Sequence, residues 1–343
     1  MNKTIYSFLL ISLLFSCRRD VPPVAPEGNI TLGNGGVYIT NEGNFMFGNA
    51  SVSYYDPYNN SVVEDLYQTV NSASLGDVCQ SMAFFNSKIY IVVNNSGKVK
   101  IVNASGFGDA GEISGLTSPR YFLPVSYNKA YITDLYSNAV SIVDLNTNTV
   151  TGNIPCSGAT EELVLIYGNA FVTNSSKNYV YVINTGTDQI TDSILISTGG
   201  NSITEDKNGK LWVLCGGNSS LSIPPSLHRI HPVSKTVEQS FTFPQTDSPW
   251  RLTMNGNNDS LFFLNNGVYK MSIQDINLPS APFIPEGSMN FYGLGIDPVS
   301  GTIYVSVAID YVQRGMILRF QPNGILINSF LAGIIPGDFY FED

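Results

Sequence analysis

The sequence predicts an all-β fold: a seven-bladed β-propeller of four-stranded antiparallel blades, closed by a C-terminal strand that joins the N-terminal blade. Three observations predict it. An aromatic-led strand recurs seven times along the chain, the composition is that of short strands joined by polar turns, and the chain closes on a strand-like run, "GDFYF", with no partner after it.

The repeat carries most of the weight. It reads "VYITNEG" at 37, "IYIVVNN" at 89, "AYITDLY" at 130, "AFVTNSS" at 170, "LWVLCGG" at 211, "LFFLNNG" at 261 and "IYVSVAI" at 303. Its leading aromatics are Tyr38, Tyr90, Tyr131, Phe171, Trp212, Phe262 and Tyr304, spaced by 52, 41, 40, 41, 50 and 42 residues. Each is followed by a polar loop and a second strand, as in "NAVSIVDL", then a turn and a third, as in "DLNTNTVTGNI". A fourth strand precedes each aromatic, and units of roughly 40 residues with four strands are the period of a propeller blade.

Composition agrees. Charged residues are 13% of the 343, about half the ~25% usual in globular domains, and no 3.6-period apolar segment longer than about two turns follows residue 20. The net charge of -10, without a clustered Lys/Arg stripe, excludes the electrostatic footprint of a nucleic-acid binder.

Blade one begins near Ile30 and has three strands at the amino end but no innermost one. "GDFYF" supplies it from the carboxyl end, because "SPRYFLPV" at 118 and "SPWRLTM" at 248 set a proline before an innermost strand in the same way. Closure removes the free edge between the first and last blades. The propeller occupies residues 31–343.

Residues 1–16 are an export signal with one lysine and a short apolar core, too short to span a bilayer. Leu14-Phe15-Ser16-Cys17 resembles the lipobox of bacterial lipoproteins, which implies a lipid on Cys17, and residues 17–30 read as the lipidated cysteine and a flexible Pro-rich tether. Lipidation implies a bacterial envelope. Arg18 stands where an Asp would signal retention in the inner membrane, which favours the outer membrane, with the cell-surface and periplasmic faces both open. The remaining cysteines, Cys79, Cys156 and Cys215, are odd in number and match no zinc spacing; they read as small buried hydrophobes, one pair of which an oxidising compartment could join.

"FVTNSSKNYVYVINTGTDQI" at 171 and "YITDLYSNAVSIVDLNTNTV" at 131 resemble the YVTN repeats of YncE-like propellers, and the likeness spans the mature chain. With the lipobox and "VYITNEGNFMFGNASVSYYDP" at 37, the chain is similar to envelope lipoproteins of Bacteroidota. One branch of these, the BtuG-like proteins, captures cobalamin for a TonB-dependent transporter. That resemblance implies a corrinoid as transported ligand and such a transporter as partner, a membrane contact through the lipid alone, and a monomer. It places no ligand-contacting residue.

In a propeller, the loops entering the innermost strands and leaving the second strands open on one face, around the central channel. Aligning those entries on the first core apolar residue selects Gln80 and Ser81, Arg120 and Tyr121, Glu161 and Glu162, Asn201 and Ser202, Trp250 and Arg251, Phe291 and Tyr292, Gly337 and Asp338. Positions that merely filled structure would repeat in type; these vary from acid to base to aromatic, as a binding mouth requires. Trp250 offers a flat surface with one donor, and Arg120 and Arg251 offer forked donors for a carboxylate, phosphate or amide, although pairing of Arg120 with Glu161 or Glu162 across the channel is an equally physical outcome. The second-strand exits add Asn41, Glu42, Asp134, Tyr136, Asp310 and Tyr311.

Little points to catalysis. The two histidines, His228 and His231, lie three apart on one strand, face opposite sides and cannot share a metal; His231 occupies the turn slot held by Asp56, Asp144 and Asn184 in other blades. GxSxG, a phosphate loop and paired CxxC motifs are absent. The expectation is a non-enzyme without cofactor that captures a small molecule. The alternatives are a protein-interaction platform on the same face and, on convergence of Glu161, Glu162, Asn201 and Asp338 about a metal, a lactonase-type hydrolase.

Overall fold

The computed structural model describes Leu32 and residues 35–342; the export signal, Cys17 and the whole tether to residue 30 lie outside the described residues. Seven four-stranded antiparallel sheets form the ring. The innermost strands of blades 2 to 7 are Cys79–Phe85, Pro119–Ser126, Thr160–Ile166, Gly200–Glu205, Trp250–Met254 and Phe291–Ile296. Blade 1 takes its innermost strand, Pro336–Phe341, from the carboxyl end, and Val37–Asn41, Ser51–Asp56 and Ser61–Val63 follow it outward. The expected closure is therefore present: Val37 pairs with Phe341, Tyr38 with Tyr340 and Ile39 with Phe339.

The leading aromatics explain the packing. A blade is a twisted sheet that cannot bury a face alone, so each stacks on the next. Seven apolar clusters form, each between adjacent blades, and each holds one leading aromatic: Tyr38, Tyr90, Tyr131, Phe171, Trp212, Phe262 and Tyr304. All seven are at most 3% exposed. Truncating a buried ring of this size typically costs about 3–5 kcal/mol. Trp212 also satisfies its indole N–H, which donates to Asp206 Oδ2 at 2.8 Å.

Turn chemistry repeats as well. Asp56, Asp144, Asn184 and His231 each turn a carboxylate, amide-oxygen or ring-nitrogen acceptor onto backbone N–H groups two or three residues on, the last through Nδ1 at 3.3 and 3.4 Å. His228, on the same strand, is buried between the Ser226 and Ser240 hydroxyls, each 2.9 Å away. Cys79, Cys156 and Cys215 are buried free thiols. One helix of six residues, Leu66–Asn71, capped by Asp65, follows blade 1. Among the described residues no helix is long and apolar enough to cross a membrane.

The seam between blades 7 and 1 relies on glycine. A side chain at Gly293 would come within 1.9 Å of the Gly337 carbonyl oxygen, and one at Gly295 within 2.6 Å of Phe339 Cβ. Ser306 Oγ accepts from Gly293 N–H and donates to the Pro336 carbonyl, both at 2.6 Å. The Asp338 N–H donates to Thr40 Oγ1 at 2.9 Å.

Candidate functional site at the channel mouth

The mouth is made by seven bulges. At the entry of every innermost strand the ladder slips, between Cys79 and Ser81, Pro119 and Phe122, Thr160 and Leu163, Gly200 and Ser202, Trp250 and Thr253, Phe291 and Leu294, and, on the tail strand, Pro336 and Phe339. A bulge removes one or two residues from pairing and re-aims their side chains. Here the displaced residues include Gln80, Arg120, Tyr121, Glu161, Glu162, Asn201, Arg251, Tyr292 and Asp338.

They converge. A central cavity of about 200 Å³ is lined by Glu42, Gln80, Arg120, Tyr121, Glu161, Glu162, Asn201, Ser202, Trp250, Arg251 and Tyr292. Asp338 lies just beyond it, lining a deeper cavity of about 240 Å³ that shares only Arg251 and Glu162 with the first, so these two side chains form the floor between mouth and lower channel. Ser81 does not line the mouth; its hydroxyl is buried and donates to the Arg120 carbonyl at 2.6 Å.

Phe291 does not line the central cavity, although it lines a groove of about 360 Å³ beside it. It is 4% exposed and packs in the core between blades 6 and 7 with Phe262 and Leu294. The alignment on apolar residues was one place early in these two blades, because Phe291, paired with Val307, and Trp250, paired with Leu264, are the last laddered residues before the slip. Trp250 nevertheless borders the mouth because its ring remains half-exposed there. The second-strand exits also divide. Glu42 lines the cavity and accepts from the Tyr292 hydroxyl at 2.9 Å, and the Tyr311 ring meets that of Tyr292 edge-on at 5.9 Å. Tyr136 is on the rim, exposed. Asn41, Asp134 and Asp310 are not free for a ligand: Asn41 accepts from Gly333 N–H, Asp134 from Ser118 and Tyr136 N–H, and Asp310 from Gln313 N–H.

The electrostatics are uneven. Arg120 is paired: its Nε donates to Glu161 Oε2 at 2.8 Å and its Nη1 to Gln80 Oε1. Arg251 is not. Its nearest carboxylate oxygens, Asp338 Oδ2 and Glu42 Oε1, stand 3.6 and 3.8 Å away. Burial pushes the Glu162 carboxyl up to about 8, against the stabilising Ile203 N–H that donates to it at 3.0 Å, so the group is largely protonated at neutral pH. Burial also raises Glu42, which Arg251 and the Tyr292 hydroxyl oppose. The pairing of Arg120 with Glu161, expected as one outcome from sequence, is present.

Two features escaped the sequence reading. A groove of about 360 Å³, lined by Ser248, Pro249, Asn266, Glu286 and Asn290, runs outward from the mouth, with Trp250 and Asn201 shared between the two. The loop after Val37–Asn41 exposes Phe45, Met46 and Phe47 at 64%, 78% and 77%, and Asn44 Nδ2 ties it to the Tyr311 carbonyl at 2.6 Å. Its signal was legible as three large apolar residues in "NFMFGN", a run no hairpin loop needs for packing. The convergence of Glu161, Glu162, Asn201 and Asp338 on a metal is not observed: among the described residues no three His, Cys, Asp or Glu side chains are grouped to hold an ion.

Similarity to other proteins adds the fold and a family. The chain resembles the structure of a quinonprotein alcohol dehydrogenase-like protein from Bacteroides thetaiotaomicron at a TM-score of 0.71 and 14% identity, covering 90% of this chain and 78% of that one. It resembles a protein from Lactobacillus plantarum at 0.72 and 11%, covering 91% and 100%. A candidate 6-phosphogluconolactonase from Bacteroides fragilis follows at 0.67 and 10%, covering 90% and 98%. At these identities the likeness is one of fold, and the fold hosts unrelated functions. No curated protein matches the chain. The family model described as a domain of unknown function, DUF5074, matches residues 35–331, nearly the whole propeller, and the chain belongs to that family.

Proposed function

We propose that this propeller is the ligand-capture module of a bacterial envelope lipoprotein, that its mouth binds a small polar molecule without transforming it, and that a corrinoid such as cobalamin is the most concrete cargo, handed to a TonB-dependent outer-membrane transporter. The observation that carries the reading is the convergence of six dissimilar bulges, with Glu42 from blade 1, on one mouth edged by Trp250. A corrinoid exceeds the central cavity of about 200 Å³, so it lies across the face, over that cavity and the adjoining groove of about 360 Å³ with Trp250 between them. The YVTN pattern and the Cys17 lipobox of the sequence supply the corrinoid and the transporter as analogies.

The anchor fits this orientation. Val37–Asn41 runs toward the mouth, so Gly36, whose carbonyl accepts from Glu342 N–H at 3.0 Å, lies on the opposite face. The chain therefore enters the propeller on the face away from the mouth.

A second reading has its own observation. The exposed Phe45, Met46 and Phe47 lie beside Ile309, Tyr311 and Val312, exposed at 43%, 45% and 67%, on the mouth face. An apolar rim of this kind suits a protein partner as well as a ligand. Calorimetric titration with cobalamin separates the two: saturable heat that Trp250→Ala weakens by about tenfold or more supports capture, that ring being the largest contact surface at the mouth. An absence of heat with cobalamin, together with crosslinking of the transporter to Phe47, would transfer the assignment to the platform.

A further inference from the structure

The two arginines of the mouth occupy the same kind of position, a bulge on an innermost strand, and differ in one respect. Arg120 spends its donors on Glu161 and Gln80. The Arg251 side chain, 10% exposed, has no hydrogen-bond partner for Nε among the described residues, and its terminal nitrogens stand 3.6 and 3.8 Å from carboxylate oxygens. That is beyond the roughly 2.7–3.2 Å of a formed N–H···O bond. A guanidinium carries five donors in a fixed fork, and leaving them unmet when buried is costly.

The pose is held at some expense. Arg251 adopts φ +57°, a left-handed conformation unusual outside glycine, and its guanidinium lies 5.2 Å from the Trp250 ring centroid and 5.9 Å from that of Tyr292. No other residue lining the central cavity adopts that conformation, and strain that the surroundings hold in place is a pointer to function.

We propose that Arg251 is the ligand anchor and that it takes the oxygen of a neutral carboxamide, whose nitrogen donates to Glu42 or Asp338, so that the mouth selects carboxamides over the corresponding free acids. The inference rests on the mouth being a small-molecule site, and the charge around it decides the ligand's class. Glu42, Glu161 and Asp338 face the channel as carboxylates, beside a Glu162 that burial keeps largely protonated, with only Arg120 and Arg251 opposite them. A free carboxylate would meet an acid-rich surround in which Arg251 is the one cation lining the cavity that no carboxylate already hydrogen-bonds. An amide satisfies the same donors without adding charge, and its NH2 meets acceptors that Arg251 leaves out of hydrogen-bond range.

Nicotinamide and nicotinate test this, since they share a flat ring suited to Trp250 and differ only in amide against carboxylate. The chain has two tryptophans. The indole N–H of Trp212, bonded to Asp206 in the core, is an internal reference for folding. In NMR titration of the labelled protein, nicotinamide is expected to shift the Trp250 indole signal and leave that of Trp212 in place, with nicotinate binding at least about tenfold more weakly, the discrimination typical of a site built around specific hydrogen bonds. Arg251→Met removes the nicotinamide shift, and Arg251→Lys, which keeps the charge and loses the fork, weakens it. Should Arg251→Met also disturb Trp212, Asp338→Asn serves instead, and it narrows the amide-to-acid ratio by strengthening nicotinate. Equal or tighter binding of nicotinate, an unmoved Trp250 signal, or an unchanged ratio in Asp338→Asn overturns the proposal. Cobalamin bound at the mouth by a protein indifferent to nicotinamide would refute the anchor and leave the capture function standing; the converse result would do the reverse.

Discussion

Phe339→Ala tests whether the borrowed strand holds the ring shut. Phe339 is 7% exposed and packs with Val37, Ile39, Tyr55, Tyr304, Ile317 and Ala332 between blades 7 and 1, its ring 5.8 Å from that of Tyr304. Emptying such a site costs about 3–5 kcal/mol, and the neighbouring strands cannot collapse into it because Gly295 already brings them to contact. A domain's net stability is only about 5–15 kcal/mol, so one side chain carries a large share at this seam. Urea unfolding followed by circular dichroism should give that loss with an unchanged dependence on denaturant. Leu331→Ala on the outermost strand of blade 7, where the side chain is 44% exposed, should change stability by under about 0.5 kcal/mol. Amide exchange should accelerate first in Val37–Asn41, the strand the tail covers. A loss below about 1 kcal/mol for Phe339→Ala, where at least 3 is expected, or exchange that accelerates elsewhere and not in Val37–Asn41, would refute the reasoning.

Three further outcomes follow from the same geometry. Gly293→Ala should destabilise by about 1–3 kcal/mol, because the added carbon meets the Gly337 carbonyl at 1.9 Å, while Gly108→Ala, with nothing within 4 Å, should be neutral or slightly stabilising in the same urea assay. Glu162 has its folded value raised to about 8, so the folded state holds a proton that the unfolded chain releases near the ordinary carboxylate range; stability should fall as pH rises toward about 8, by up to about 1.4 kcal/mol per unit, and Glu162→Gln should flatten that slope. His228 shows the opposite sign: burial pushes it down to about 4, so stability should fall as pH drops from the ordinary histidine range toward about 4, and an imidazole titration midpoint above about 6, near the unperturbed value, would contradict the burial argument.

The fold was legible because packing repeats. A leading aromatic is required at every inter-blade core, so Tyr38 through Tyr304 stand in register, and the missing innermost strand of blade 1 left an unpaired tail to fill it. The mouth was legible to within one residue, for the opposite reason: bulge residues are excused from the ladder and are free to differ. Where the alignment failed, at Phe291, the last paired residue is itself apolar, and only the pairing with Val307 tells it from a channel residue. Asn41, Asp134 and Asp310 sit at the expected exits but are spent on backbone N–H groups, Asp134 and Asp310 in their own loops and Asn41 on Gly333 of blade 7, and a short polar side chain so used has the same sequence appearance as one that faces a ligand. The groove beside Trp250 has no sequence signal, since its walls come from the loops before blades 6 and 7 and the second-strand exits of blades 5 and 6.

The seven bulges also explain how a repetitive scaffold carries a dissimilar site. A residue in a ladder is constrained by its cross-strand neighbours and by the blade stacked on it. One displaced by a bulge loses its ladder partners and is turned toward the axis. Acid, base and amide can then be exchanged there with little cost to the inter-blade cores, while the rings of Tyr121 and Trp250 still pack against them. The exceptions are side chains that have become mutually dependent. Arg120 cannot be removed without stranding Glu161, which is 7% exposed, a loss typical of a broken buried pair at about 3–5 kcal/mol. Arg251, with its donors unspent, stands outside that dependence, which is why the binding argument settles on it and not on Arg120.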